Sequence, residues 1–235
     1  MESVSIVRAE DVSKAVGDLY REINTHLRPD VLEALNEALA REESESAREI
    51  LAALLENQDI SREDGIPLCQ DTGLAVAFVS MGDQVVLEGG TLQEAVDEGV
   101  RNAVAEQPLR ASTVTDPLER RNAGDNTPAI VHLEHVRGDR LVIRLMAKGG
   151  GAENMGRLCM LTPGEGREGV VRVVVETVRD AGANACPPVI VGVGLGGDFE
   201  TAPLLAKSAL FRDMGQRHPE PALAELEAEI LAQVN

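Results

Sequence analysis

Apolar residues at Val12, Ala15, Val16, Leu19 and Ile23 recur three and four positions apart, which predicts an amphipathic helix over "EDVSKAVGDLYREINTHL". Pro29 restarts the chain, with Asp30 in the first turn of "DVLEALNEALARE", and "SAREILAALLENQDIS" predicts a third helix. At Pro67 the period changes. The Val-rich segments "GLAVAFVSM" and "QVVLEG" predict two short strands with "MGDQ" as the turn between them. "TLQEAVDEGVRNAVAEQP" predicts a helix that opens on a capping box, Thr91 as N-cap and Glu94 three residues on. "AIVHLEHV" and "RLVIRLMA" predict a hairpin joined at "RGD". "EGVVRVVVETVRDAG" has the Val content of a strand, but its length and the closing "AGAN" predict a helix. "PPVIVGV" then predicts a buried strand, followed by helices over "FETAPLLAKSALFRD" and "PALAELEAEILAQV".

These elements, with no repeat, low-complexity tract or evident linker, predict a mixed α and β fold, α+β or α/β. One domain spans 1–235: a mainly helical portion over 1–64, then mixed β-sheet structure flanked by helices over 65–235.

Composition narrows the function. Hydrophobic residues make up 43% of the 235, enough for a substantial core. With 22 Lys plus Arg against 40 Asp plus Glu, the formal charge is -18, and no basic cluster offers a nucleic-acid surface. An anionic substrate must then be met by individual Arg or Lys residues. Aromatic content of 2%, without Trp, excludes stacking platforms and aromatic cages. The apolar runs fall short of the ~20 residues of a membrane span. The N-terminus has no apolar core of signal-peptide type, so the expected location is cytoplasmic.

Two chemical motifs need weighing. "GVGLGG" matches G-x-G-x-x-G at Gly192, Gly194 and Gly197, between a predicted strand and a predicted helix. No strand ending in an acidic residue follows ~20 residues on, so a dinucleotide site is the weakest reading. Glycines that let the backbone come close to something explain the run better. The three cysteines, Cys69, Cys159 and Cys186, are odd in number and far apart, which argues against a disulfide framework. They lack zinc-finger spacing. His132 and His135, three apart on a predicted strand, point to opposite faces and read as ordinary strand residues. Three dispersed thiols fit a cubane iron–sulfur cluster with one iron free of protein ligands, a Lewis acid for hydroxyl and carboxylate oxygens. Three buried thiols would give the same pattern.

The segments "IPLCQDTG", "LRASTVTDPLERRNAGDNTPAIVHLEHVRGDRLVIRLMAKGGGAENMGRLCML" and "NACPPVIVGVGLGGDFETAPLLAKSALFR" resemble, in order, the alpha subunit of class I, iron–sulfur-dependent hydro-lyases, the fumarase and L-tartrate dehydratase family. The resemblance runs from about Gly65 to the C-terminus. It implies a [4Fe–4S] cluster held by Cys69, Cys159 and Cys186. It implies Gln70 as a donor to a substrate carboxylate, Asp71 as the acid that exchanges a proton with the hydroxyl or water, and Arg110 as a carboxylate clamp. An Asx-turn at Gly73 is the plainer, compatible use of Asp71. In Gly149–Gly151 the backbone offers N–H groups to an anion, with Gly151 the favoured contact and Lys148 a source of charge. Arg120 and Arg121 read as a solvated pair, and Asp125 and Asn126 as part of a shaped loop at the pocket wall.

The expected reaction is reversible hydration of a small dicarboxylate, fumarate to (S)-malate first and L-tartrate dehydration as the alternative. A non-catalytic iron–sulfur sensing module is the reading from another class. By the same resemblance the carbon-bound proton is removed by a threonine of a beta subunit or C-terminal domain, and family alpha subunits continue past "AEILAQVN". The chain is therefore expected to be inactive or nearly so alone, and to assemble as alpha2beta2 or as a homodimer of alpha.

Overall fold

The computed structural model describes residues 4–235, which divide into two compact units, a first that runs to Gly150 and a second over Gly151–Asn235. In the first unit, strand β1 (Ser5–Arg8) leads into helices α1 (Ala9–Thr25), α2 (Pro29–Arg41) and α3 (Glu45–Asp64). Strands β2 (Leu74–Gly82) and β3 (Val85–Glu88), helix α4 (Leu92–Glu106) and strands β4 (Ile130–Val136) and β5 (Leu141–Lys148) follow. The class is α+β, as the pattern predicts.

Alternation on the strands builds the core. Ala75, Ala77 and Val79 of β2 and Leu145 of β5 turn one face of the sheet toward α1 and α4. Val12, Val16 and Tyr20 of α1 meet Ala95, Val96, Val100 and Ala103 of α4 in the same cluster. Thr91 caps α4 with the predicted box: its hydroxyl accepts the Glu94 N–H at 3.2 Å, and the Glu94 carboxylate accepts the Thr91 N–H at 2.9 Å.

The strand pairing corrects the predicted hairpin. The order is β4-β2-β5, so β2 lies between the two strands expected to pair, parallel to β4 and antiparallel to β5. The turn at Asp83–Gln84 joins β2 to β3 as predicted, yet β3 pairs in parallel with β1, a strand of four residues that the pattern missed. Adjacency in sequence predicted the pairs; the buried face of β2 claims both edges instead. His132 lies opposite Phe78, with ring centroids 4.8 Å apart, and His135 is exposed.

The second unit is helical among the described residues: α5 (Gly150–Asn154, beginning one residue before it), α6 (Gly166–Ala181), α7 (Thr201–Ala209) and α8 (Pro221–Val234). The Val-rich segment is the helix its length predicts. "PPVIVGV" is not a strand: residues 189–195 are irregular, with Val189, Ile190 and Val191 exposed. Its glycines explain the course. A Cβ on Gly192 would stand 2.1 Å from the Ala206 carbonyl oxygen, and one on Gly194 2.0 Å from that of Ala202. The segment presses its backbone on α7, the close approach expected of the "GVGLGG" run. No described helix is long and apolar enough to cross a membrane.

Candidate active site

Leu68, immediately before Cys69, is held at both polar groups of its backbone. Its N–H donates to the Asn24 carbonyl at 2.8 Å, and its carbonyl accepts from the Asn57 amide at 2.9 Å. The helical N-terminal portion thus fixes where the cysteine turn begins. Cys69 and Gln70 are exposed and Asp71 is half-buried. The Cys69 sulfur accepts the Asp71 N–H at 3.4 Å, and the thiol donates to Gln70 Oε1 at 3.4 Å.

Gly73 then enters β2 with φ +73°. A Cβ there would lie 2.2 Å from the Lys148 carbonyl oxygen and 2.6 Å from the Gly149 nitrogen, so only glycine admits this approach. The close crossing brings two distant motifs together. Asp71 Oδ2 stands 3.3 Å from the place a Cβ on Gly149 would take and 3.7 Å from that on Gly150. The carboxylate faces bare glycine backbone, and the "QDTG" run and the backbone of 148–150 form one wall.

A second segment is stitched to this turn. The buried Thr72 hydroxyl accepts the Arg110 N–H at 3.0 Å, and Ser112 Oγ accepts the Gly73 N–H at 3.2 Å. Arg110 itself is exposed. The structure therefore brings Cys69, Gln70, Asp71 and Arg110 together in the first unit. Asn126, read from sequence as loop wall, is fully buried, and its amide bonds the backbone of Arg110, Ser112 and Thr113. Thr72 and Ser112 escaped sequence reading, as did the buried, bonding use of Asn126; the one available signal was the turn-rich "NAGDNTP".

Arg120 and Arg121 are exposed, and Arg121 pairs with Glu119 at 2.9 Å, the solvated role expected. Partial burial would raise Asp125, but bonds from the Thr127 N–H and hydroxyl and from Arg101 hold its carboxyl below the usual range.

In the second unit Gly151 lies exposed in α5, Cys159 follows that helix, and Cys186 sits after a 3-10 turn (Gly182–Ala185) at φ +57°. A left-handed φ is uncommon for a residue with a Cβ. All three cysteines are free and exposed. The buried-thiol alternative is thereby overturned, since an inert structural Cys sits in the core. Within either unit, no three described His, Cys, Asp or Glu residues gather as a metal site. Exposed free thiols are nevertheless the donor type that holds iron–sulfur clusters.

Comparison with known proteins supplies the family. The model of the family described as fumarate hydratase (Fumerase) matches residues 13–235. A Methanocaldococcus jannaschii protein provisionally named L(+)-tartrate dehydratase subunit alpha is 40% identical over 230 residues, 95% of this chain and 80% of that protein. The L(+)-tartrate dehydratase subunit alpha of Escherichia coli K12 is 34% identical over 223 residues, 93% of this chain and 73% of that protein. The chain belongs to the class I fumarase and L-tartrate dehydratase family of hydro-lyases, on the side of its alpha subunits.

Proposed function

We propose that the chain is the iron–sulfur-bearing alpha subunit of a hydro-lyase acting on a hydroxylated dicarboxylate. L-tartrate is the favoured substrate, ahead of the fumarate and (S)-malate pair expected from sequence, because the relatives above carry the tartrate name. The observation that carries the reading is the pairing of an exposed Cys69 with Asp71 and Arg110 in one hydrogen-bonded wall.

Cys69, Cys159 and Cys186 would hold the cluster; as free, exposed thiols they suit it. When bound, it supplies a Lewis acid that polarises hydroxyl and carboxylate oxygens. The remaining work falls to the chain's own groups. Arg110 takes one carboxylate through its planar fork. Gln70 donates its amide N–H to a carboxylate oxygen. Asp71 gives a proton to the departing hydroxyl, which leaves as water. The N–H groups of Gly149–Gly151 offer further donors, with Gly151 the favoured contact. The proton on carbon goes to a base outside this chain, on a beta subunit.

The test is anaerobic reconstitution of the chain co-expressed with its beta subunit, alongside Cys69→Ser, Cys159→Ser and Cys186→Ser. Roughly four irons and four sulfides per chain are expected in the parent and a loss in each variant. Turnover should give a higher kcat/KM for L-tartrate than for (S)-malate. The reverse order would restore the fumarate reading, and absence of a cluster would sink the proposal. Asp71→Asn should abolish turnover with iron content intact. A cluster-bearing parent that turns over neither diacid would instead favour a sensing module.

A further inference from the structure

The Asn126 side chain is wholly enclosed, with 0% exposure, at a left-handed φ of +58°. Asparagine tolerates that conformation better than most residues with a side chain. The oxygen and the nitrogen of the amide both bond the backbone of one short segment. Its Oδ1 accepts the Ser112 N–H and, at 3.2 Å, the Thr113 N–H, while Nδ2 donates to the Arg110 carbonyl at 3.0 Å. The Thr72 hydroxyl holds the other polar group of the Arg110 backbone, its N–H, at 3.0 Å. Arg110 is therefore fixed at both backbone groups by buried side chains, although it is itself exposed. Ser112 Oγ ties the same segment to Gly73 at 3.2 Å.

We propose that Asn126 is a positioning residue for the Arg110 guanidinium, its amide fixing the course of the 110–113 segment, which Thr72 and Ser112 tie to the turn that carries Gln70 and Asp71. The inference rests on the reading of Arg110 as the carboxylate clamp. A flexible arginine side chain in a protein of charge -18 has many carboxylates to visit. Anchoring its Cα confines the fork to the substrate side and spares the ordering cost at each binding event. A buried amide that makes three hydrogen bonds to one short segment restrains it, which suits that purpose.

The experiment uses the reconstituted complex with its beta subunit and compares Asn126→Gly, Arg110→Ala and the double variant. Glycine keeps the left-handed backbone available, so the substitution removes the amide bonds without adding backbone strain. Arg110 binds the carboxylate in ground and transition states alike, so loss of its placement appears mainly in KM. Asn126→Gly should raise KM for the diacid about tenfold with kcat within about threefold and iron content unchanged. In the Arg110→Ala background the same change should move KM by less than about twofold, because the two act as one unit. A full additive effect on KM in that background, or an unchanged KM in the single variant, overturns the proposal.

Amide exchange provides a readout independent of turnover. The Ser112 and Thr113 N–H groups should exchange faster in Asn126→Gly while those of β2 keep their protection. If the parent complex turns over no diacid, the substrate assignment falls, and unchanged exchange at 112–113 then removes the anchoring role as well. Faster exchange there, with KM unmoved in an active complex, leaves Asn126 as a structural residue and refutes its role toward Arg110.

Discussion

Replacing Gly73 with alanine would set a Cβ 2.2 Å from the Lys148 carbonyl oxygen at a φ of +73°. Left-handed backbone costs an ordinary residue ~1–2 kcal/mol, and forcing a methyl into filled space costs ~1–3 kcal/mol. Gly73→Ala should therefore lose roughly 2–5 kcal/mol of stability in urea unfolding. It should also move Asp71 away from Gly149; an unchanged midpoint would mean that the two strands part freely there. Tyr20, the single tyrosine, gives a second test. Burial pushes its phenol up to about 12, opposed by the nearby Asn126 amide, and its hydroxyl has no hydrogen-bond partner in the structure. The unfolded chain titrates near 10, so the folded state holds the proton more tightly. This contribution is fully present below pH 10 and falls away as pH rises toward 12, by roughly 2–3 kcal/mol. Phenolate absorbance should appear only as the fold is lost. A titration near pH 10 with the far-ultraviolet circular dichroism intact would refute the buried assignment.

Among the elements, α4 depends on its first turn, since it is packed against both α1 and the sheet. Thr91→Ala removes the cap and should cost about 1 kcal/mol. Bonds from the Thr91 hydroxyl and then the Thr91 N–H hold the Glu94 carboxyl below its ordinary 4.5. The depressed value means that the box stabilises above about pH 4.5 and is lost as pH falls through the lowered value. The stability gap between parent and Thr91→Ala should therefore narrow in acid, and a gap constant to pH 3 or so would contradict the box. The same cap was legible in sequence because its partners are three residues apart. Helices were legible for that reason generally: their periodicity and caps are local. Strand pairing was not, because the choice between β4–β5 and a shared central β2 depends on which face α1 and α4 bury. The apolar "PPVIVGV" misled because its side chains meet no sheet and its glycines press on α7 instead. At the site, the resemblance of whole motifs to a known family pointed to Cys69, Gln70, Asp71 and Arg110, whose segments fold together. Asn126 did not stand out, since a buried hub and a loop-tip asparagine look alike until the 110–113 backbone is seen bonded to it.

On the scale of the whole molecule, the apolar core is unevenly divided. Among the described residues, the buried apolar side chains beyond Gly150 are Val171, Val174, Ala181 and Leu226, whereas Tyr20, Val76, Val96, Val100 and many others lie before it. Hydrophobic burial is the main favourable contribution to folding, so the unit over 151–235 should open more readily than the unit over 1–150. Two of the three cysteines, Cys159 and Cys186, belong to that weaker unit. A group that binds deprotonated ligands in the folded state alone adds its binding free energy to folding. In limited proteolysis of the apo chain, mapped by mass spectrometry, early cuts should fall within 151–235 and leave α1, α4 and β2 whole. Cleavage of open forms follows their population when reclosing is fast, so the rates report stability unit by unit. Anaerobic loading with iron and sulfide should then slow the cuts around Cys159 and Cys186 by about tenfold or more and leave those elsewhere little changed. Cys186→Ser should abolish the protection without altering the apo pattern. Equal cleavage of both units before loading would show that the few buried side chains of 151–235 suffice to hold it. Loading that protects nothing would remove Cys159 and Cys186 from the ligand set.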